Sequence, residues 1–332
     1  MKRNKSIKLE RAGLVLLAAA LAGGAALAEE PKESPFVTAA KSLTLSGYAQ
    51  FLAVAWDPGV DTFSLRRARI GLSGDILKNL KFKVVVDVVK SPALLDAIVE
   101  FEPSKILGVR VGQFLVPFSL ESITPTRDLD MVNRSPVVDA LAPGRDIAGS
   151  GRDAGVALYG SYSIAEYSLG FFNGSGLNKA DTNSHKDFSG RMVFHPLKFL
   201  SVGASIYRGK QDSTPEAPLV RRDKEGLEAA FVFKAFSLKS ECIHARDDLV
   251  SKAGWYLQAG FFALPAKLQA LLRYDWLDLD RSAAGDAKNV ISAGINWFIL
   301  GKTKLQVNYE LHRLQGGGRD KSGLLAQFQA AF

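Results

Sequence analysis

Lys304-Leu-Gln-Val-Asn-Tyr-Glu-Leu-His312 carries the pattern that decides the fold. Leu305, Val307, Tyr309 and Leu311 fall on one side of an extended chain, and Lys304, Gln306, Asn308, Glu310 and His312 on the other. A period of two belongs to a strand and not to a helix. Upstream, Leu268, Ala270, Leu272, Tyr274 and Trp276 alternate in the same way with Lys267, Gln269, Arg273 and Asp275. Leu80, Phe82, Val84, Val86 and Val88 oppose Lys81, Lys83 and Asp87, and Leu95, Ala97, Val99 and Phe101 oppose Asp96, Glu100 and Glu102.

Period alone does not separate a soluble sandwich, apolar inside, from a membrane barrel, apolar outside. Number and uniformity do. About sixteen segments of roughly ten residues start near 43, 64, 79, 94, 106, 153, 165, 187, 199, 225, 236, 253, 266, 289, 303 and 322. A strand of about ten residues tilted by about 45° crosses a bilayer. Short connections, such as Ile76 to Asn79 and Leu300 to Lys302, alternate with longer polar ones, such as Gly174 to Lys186, Arg246 to Lys252 and Asp278 to Lys288. Short turns on one rim and long loops on the other belong to a transmembrane antiparallel β-barrel. The expected fold is therefore all-β, with a barrel over residues 43–332. Its longest non-strand segment, 115–152, holds Pro117, Pro125, Pro136 and Pro143 and is expected to fold inward as a constriction loop.

Lys2, Arg3, Lys5, Lys8 and Arg11 precede an apolar run from Ala12 to Leu27 that ends at Ala28. This is the layout of an export signal over 1–28, followed by a periplasmic segment over 29–42. Export together with a transmembrane β-barrel implies a bacterial outer-membrane location. The whole chain holds 42 Lys and Arg against 34 Asp and Glu; without the signal's five basic residues and Glu10 the balance is 37 to 33, about +4. That is a weak case for nucleic acid, and no RNA- or DNA-binding signature accompanies it.

Catalytic signatures are missing from the sequence. It has no H-E-x-x-H, P-loop, G-x-S-x-G or C-x-x-C, and His185, His195, His244 and His312 lack ligand spacing. Cys242 is the single cysteine, and Ser240 and His244 share a strand face without an acidic third member. Asp128-Leu-Asp130-Met-Val-Asn133 lacks the closing bidentate Glu of a calcium loop. No enzyme activity, cofactor or metal is expected.

The informative residues are basic. Arg67 and Arg69 share the polar face opposite Ala68, Ile70 and Leu72, and Lys81 and Lys83 follow on the next strand. Hairpin neighbours on one face approach closely, so these four are expected to form a cationic ladder. Arg110 on the wall and Arg127, Arg134 and Arg145 in the 115–152 segment complete the candidate anion-guiding set. Rings of Arg and Lys select anions. Against this stand Asp87, Asp96, Glu100 and Glu102 on the wall and Asp128, Asp130, Asp139, Asp146 and Asp153 in or beside the long segment. Pairing with them would leave a transverse field of modest selectivity.

Phe63-Ser-Leu-Arg-Arg-Ala-Arg-Ile-Gly-Leu-Ser-Gly74, Val111-Gly-Gln-Phe-Leu-Val-Pro-Phe-Ser-Leu-Glu121 and Ala142-Pro-Gly-Arg-Asp-Ile147 together resemble the phosphate-selective porin family. The resemblance implies a sixteen-stranded, trimeric outer-membrane channel whose basic residues guide phosphate or polyphosphate. It makes Arg67 and Arg69 wall residues and sets the loop arginines near the constriction. The last residues, with Leu324, Ala326, Phe328, Ala330 and Phe332 on one face, resemble the signal read by the barrel-assembly machinery. The expected function is passive diffusion of small hydrophilic solutes with a preference for anions. The alternative is a non-conducting barrel acting in adhesion or structure.

Overall fold

The computed structural model describes residues 42–211, 219–317 and 320–332. The expected signal (1–28) and positions 29–41 of the expected periplasmic segment lie outside them. The strands are β1 (Ser42–Asp57), β2 (Thr62–Leu77), β3 (Leu80–Asp87), β4 (Leu94–Phe101), β5 (Gly108–Leu115), β6 (Arg152–Tyr162), β7 (Ala165–Phe172) and β8 (Asp187–Leu197). After these come β9 (Leu200–Gln211), β10 (Val220–Phe233), β11 (Phe236–Asp247), β12 (Val250–Leu264), β13 (Leu268–Asp278), β14 (Lys288–Leu300), β15 (Thr303–Leu314) and β16 (Lys321–Ala331). They pair antiparallel in chain order and close into a barrel, β1 meeting β16 from Tyr48↔Ala331 to Asp57↔Ser322.

Burial inverts the order of a soluble protein. Leu272, Ile295 and Trp297 are 56%, 56% and 55% exposed, while Gln306, Asn308 and Glu310 on the opposite alternation are 1%, 1% and 3% exposed. An apolar outer face with a polar, crowded inner face is stable only where the outside is lipid. Closure serves the same end, because every strand finds a neighbour for its backbone amides and carbonyls and no edge faces hydrocarbon.

On one rim the turns are short. Lys78–Asn79, Ser163–Ile164, Lys198–Phe199, Lys234–Ala235 and Gly301–Lys302 each join two strands, and Ser163, Lys234 and Gly301 hold φ of 55°, 54° and 56°. Left-handed backbone at that position gives a two-residue hairpin the twist of its strands. The other rim carries longer connections at 58–61, 88–93, 116–151, 173–186 and 279–287. One expected long loop there is wrong: Arg246 to Lys252 is a two-residue turn, Asp248–Leu249, because β11 and β12 keep pairing up to Asp247↔Val250.

Among the bulges that break the period, those in β2 and β4 bear on the inner wall. In β2 the register steps from Gln50↔Arg67 to Phe51↔Leu65, leaving Arg66 as the extra residue. In β4 it steps between Val85↔Asp96 and Val86↔Leu94, leaving Leu95 unpaired and fully buried rather than on the outer face where strict alternation put it. A bulge re-aims the side chain it adds.

The hydrophobic core lies between the 116–151 connection and the inner face of the wall. The connection holds α1 (Leu120–Ile123), a 3₁₀ turn (Thr126–Asp128) and α2 (Pro136–Leu141). Ser135 caps α2 by accepting from Val137 N, and Pro136 occupies the first turn, where its missing N–H has no partner to lose. Val137, Val138 and Leu141 are fully buried with Ile243, Ala245 and Leu277 of β11 and β13. Burial of each such side chain stabilises by about 1.5–3 kcal/mol.

Candidate functional site

The β2 bulge places Arg66 and Arg67 side by side on the inner face, with Arg69 beyond. Arg66 donates from Nη1 to Val132 O at 3.0 Å and Gln327 Oε1 at 3.2 Å, and from Nη2 to Asn133 Oδ1 at 2.6 Å. Arg67 donates to Gln50 Oε1 at 2.8 Å. Arg69 pairs with Asp87 at 2.9 Å and donates to Thr126 Oγ1 at 2.6 Å. Facing them, Arg134 of the connection donates to the carbonyls of Glu121 and Thr124. Burial pushes the Arg134 guanidinium below its ordinary value; Glu121 and Asp139 oppose that shift, and Arg152 and Arg69 repel it. Among the described residues, Arg66, Arg67 and Arg134 have no carboxylate within ion-pair distance, whereas Arg69 has Asp87 and Arg152 has Asp96 at 2.6 Å.

The cationic ladder expected across β2 and β3 is not formed. The register sets Arg69 opposite Asp87, Ser73 opposite Lys83 and Asp75 opposite Lys81, so the lysines stand further along the barrel than the arginines. Lys81 goes to Glu102 at 2.9 Å and Lys83 lies 4.0 Å from Asp96. Arg110 bonds Glu100 and lies 4.8 Å from the Tyr159 ring centroid. In the connection, Arg127 lies 3.6 Å from Asp128 and Arg145 3.5 Å from Asp139. Arg145 also donates to Ser122 Oγ and O. Burial first, then repulsion from Arg134, pushes its guanidinium down to about 9. Of the eight candidates, only Arg67 and Arg134 stand without a carboxylate.

The connection is bonded around the inner wall. Glu241 of β11 accepts from Leu120 N at 2.9 Å, Glu121 N at 2.8 Å and Tyr256 Oη at 2.8 Å. Ser189 Oγ donates to Pro117 O at 3.0 Å, Val132 N donates to Asn308 Oδ1 at 2.8 Å, and Lys304 Nζ donates to Leu129 O at 2.6 Å. Ser135 bonds Asp275. Arg273 pairs with Asp275 at 2.9 Å and lies 3.6 Å from Glu121. Burial pushes the Glu121 carboxyl up, with Arg273 and Arg134 pulling it back. Asp128 and Asp130, from the incomplete calcium-loop pattern, face Lys302 and Lys239 at 2.7 and 2.6 Å.

The model of the family described as phosphate-selective porin O and P matches residues 47–218, a span that includes the β2 arginines and the whole connection. The chain belongs to the phosphate-selective porin O and P family. It is an outer-membrane porin. No curated protein matches the chain. Solved porins share the fold of this porin at low identity. An anion-selective porin from Comamonas acidovorans is 17% identical, with a TM-score of 0.68 over 88% of this chain and 99% of that one. OmpF of Salmonella typhi, in complex with daunomycin, is 12% identical, with a TM-score of 0.64 over 90% and 100%. OmpT of Vibrio cholerae in a trimer form is 10% identical, with a TM-score of 0.61 over 87% and 99%.

Sequence reading missed Arg66 on this porin's inner face. Alternation assigns it to lipid with Ala68, and only the bulge turns it round. Its signal was the charge itself: a guanidinium facing hydrocarbon in mid-strand is costly, so Arg66-Arg67 in succession called for an irregularity there. On the short-turn side of the connection the porin holds a cavity of about 460 Å³, lined by Arg110, Tyr159, Glu166 and Arg191 with Leu115, Pro117 and Ile123.

Proposed function

We propose that this porin passes small anions, phosphate among them, by passive diffusion, with Arg66, Arg67 and Arg134 setting the charge preference. The observation that carries this reading is the contrast on one inner wall: most cations there are matched by a carboxylate, and these three guanidiniums are not. An unmatched charge keeps its field for the solute, and walls of low dielectric focus it. A planar guanidinium suits a tetrahedral oxyanion because it donates two parallel hydrogen bonds and stays charged at any working pH. Arg69, Lys81, Lys83, Arg110, Arg127 and Arg145 then act mainly as halves of ion pairs that shape a transverse field. The 116–151 connection narrows the lumen and sets the size limit.

The same proposal covers assembly. Three copies form the working unit, in keeping with the trimer form of the similar Vibrio cholerae protein. Export uses residues 1–28, and the terminal strand with Phe332 engages the assembly machinery. Phe332 pairs with Gly47 through backbone bonds of 3.0 and 3.1 Å at the seam of the ring.

The test is the reversal potential of the purified protein in a planar bilayer under a potassium chloride gradient. Chloride preference is expected, together with a concentration-dependent fall in chloride current on adding inorganic phosphate. A potassium preference would overturn the anion reading.

A further inference from the structure

The inner wall above the arginines is not uniformly polar. On β1, Trp56, Val54 and Leu52 belong to the same alternation as Gln50 and Tyr48, whose side chains bond Gln329 and Thr126 inside the barrel. Leu325 of β16 stands opposite Val54. These residues form an apolar stripe that starts at the long-loop rim with Trp56 and ends at Gln50, which binds Arg67, about 20 Å lower at strand rise. Leu52 sits opposite Gln327, the partner of Arg66. Leu325 is buried, but Leu52, Val54 and Trp56 are only half-buried and leave hydrocarbon partly open to the lumen beside the path of solutes.

The upper end is built as a flat platform. Trp56 lies against the wall over Gly323, where a Cβ would come within 2.3 Å of the indole; any larger residue would lift the ring off the wall. The His312 and Trp56 rings meet edge to face with centroids 5.4 Å apart, and Lys321 Nζ stands over the indole 4.6 Å from its centroid. Glu310 bonds His312 at 3.1 Å, and Arg313 pairs with Asp320. One face of the indole rests on the wall and the far end of the exposed Lys321 caps the other; a solute with a planar apolar body and a negative group can take the ammonium's place on that face while its charge meets the displaced Lys321.

We propose that this stripe is a binding track for aromatic anions, aryl phosphates or aromatic carboxylates, which it hands from Trp56 and Lys321 to Arg66 and Arg67. The proposal rests on the anion reading of the pore and names the class of solute that the pore favours. A ring sliding from Trp56 to Val54 and Leu52 keeps apolar contact throughout, while its charge moves from one cation to the next. An inorganic oxyanion uses only the charges.

The experiment compares phenyl phosphate with inorganic phosphate as blockers of potassium chloride current through the full chain in planar bilayers. Phenyl phosphate should reach half-block at about one-fifth to one-tenth of the inorganic concentration, the ratio that one aromatic contact supplies. Trp56→Ala should bring the two half-block concentrations together while keeping chloride preference, and Trp56→Phe should restore most of the gap. Should Trp56→Ala fail to insert, Val54→Ser, which leaves the platform in place, should still reduce the ratio. Equal block of the wild type by both phosphates, in a chloride-selective channel, overturns the track alone. An unchanged ratio in an inserted Trp56→Ala or Val54→Ser channel does the same. A potassium-selective channel overturns the anion reading instead.

Discussion

Arg67 and Arg69 stand two positions apart on β2, face the same way and do different things. Arg69 is 8% exposed and holds Asp87, which is fully buried, at 2.9 Å; Arg67 has one neutral partner, Gln50. Removing half of a buried ion pair strands the other charge, at a cost of about 3–5 kcal/mol. Removing an unmatched charge on a water-filled wall costs little stability and changes the field. Arg67→Gln is therefore expected to move the reversal potential toward zero without changing the urea midpoint of unfolding. Arg69→Met is expected to lower that midpoint clearly. If both variants behave alike in both measurements, the division of labour is wrong. Composition showed that arginines gather in this strand, but which of them are matched by acids depends on register, and register is fixed by the Arg66 bulge and the turn at Lys78–Asn79.

At the level of elements, the 116–151 connection depends on a few carboxylates placed to receive its backbone. Glu241 accepts the first amides of α1 and the Tyr256 hydroxyl, so one side chain satisfies three donors that would otherwise be buried and unpaired. Glu241→Ala should loosen the α1 end while Asn308, Lys304 and Asp275 still hold the middle and α2. The expected result is higher single-channel conductance and more open-channel noise in a barrel that still resists detergent. Unchanged conductance would show that α1 does not bear on the pore. Strand starts were legible from alternation because lipid on one side and water on the other enforce a strict period. Thr62, Leu94 and Lys288 open strands within two residues of the expected 64, 94 and 289. The partners of the connection were not legible, because its bonds reach residues from 57 to 202 positions away and follow no local pattern. The turn at Asp248–Leu249 was misread for a related reason: Arg246, Asp247 and Lys252 look like loop residues, yet Asp247 and Lys252 pair at 2.6 Å across a continuing ladder.

For the whole molecule, the inverted distribution of polarity explains why a chain of mean hydropathy close to zero, +0.04, can live in a membrane. Half of each strand is enough to meet lipid, and the other half holds the inner wall and its connection in place. No helix among the described residues is long and apolar enough to cross a bilayer, which says nothing against crossing by strands.

The junction of β1 with β16 is paired like its neighbours, residue for residue over Tyr48 to Asp57. A hoop with such a seam has no privileged opening, so the order in which its staves are strung along the gene is a matter of convenience. A circular permutant that joins Phe332 to Ser42 by a short linker and opens at Lys234–Ala235, refolded into detergent without the assembly machinery, should form the same hoop, seen as the same heat-dependent shift in gel mobility. If it does not, the order in which the strands are delivered matters as much as the ring they complete.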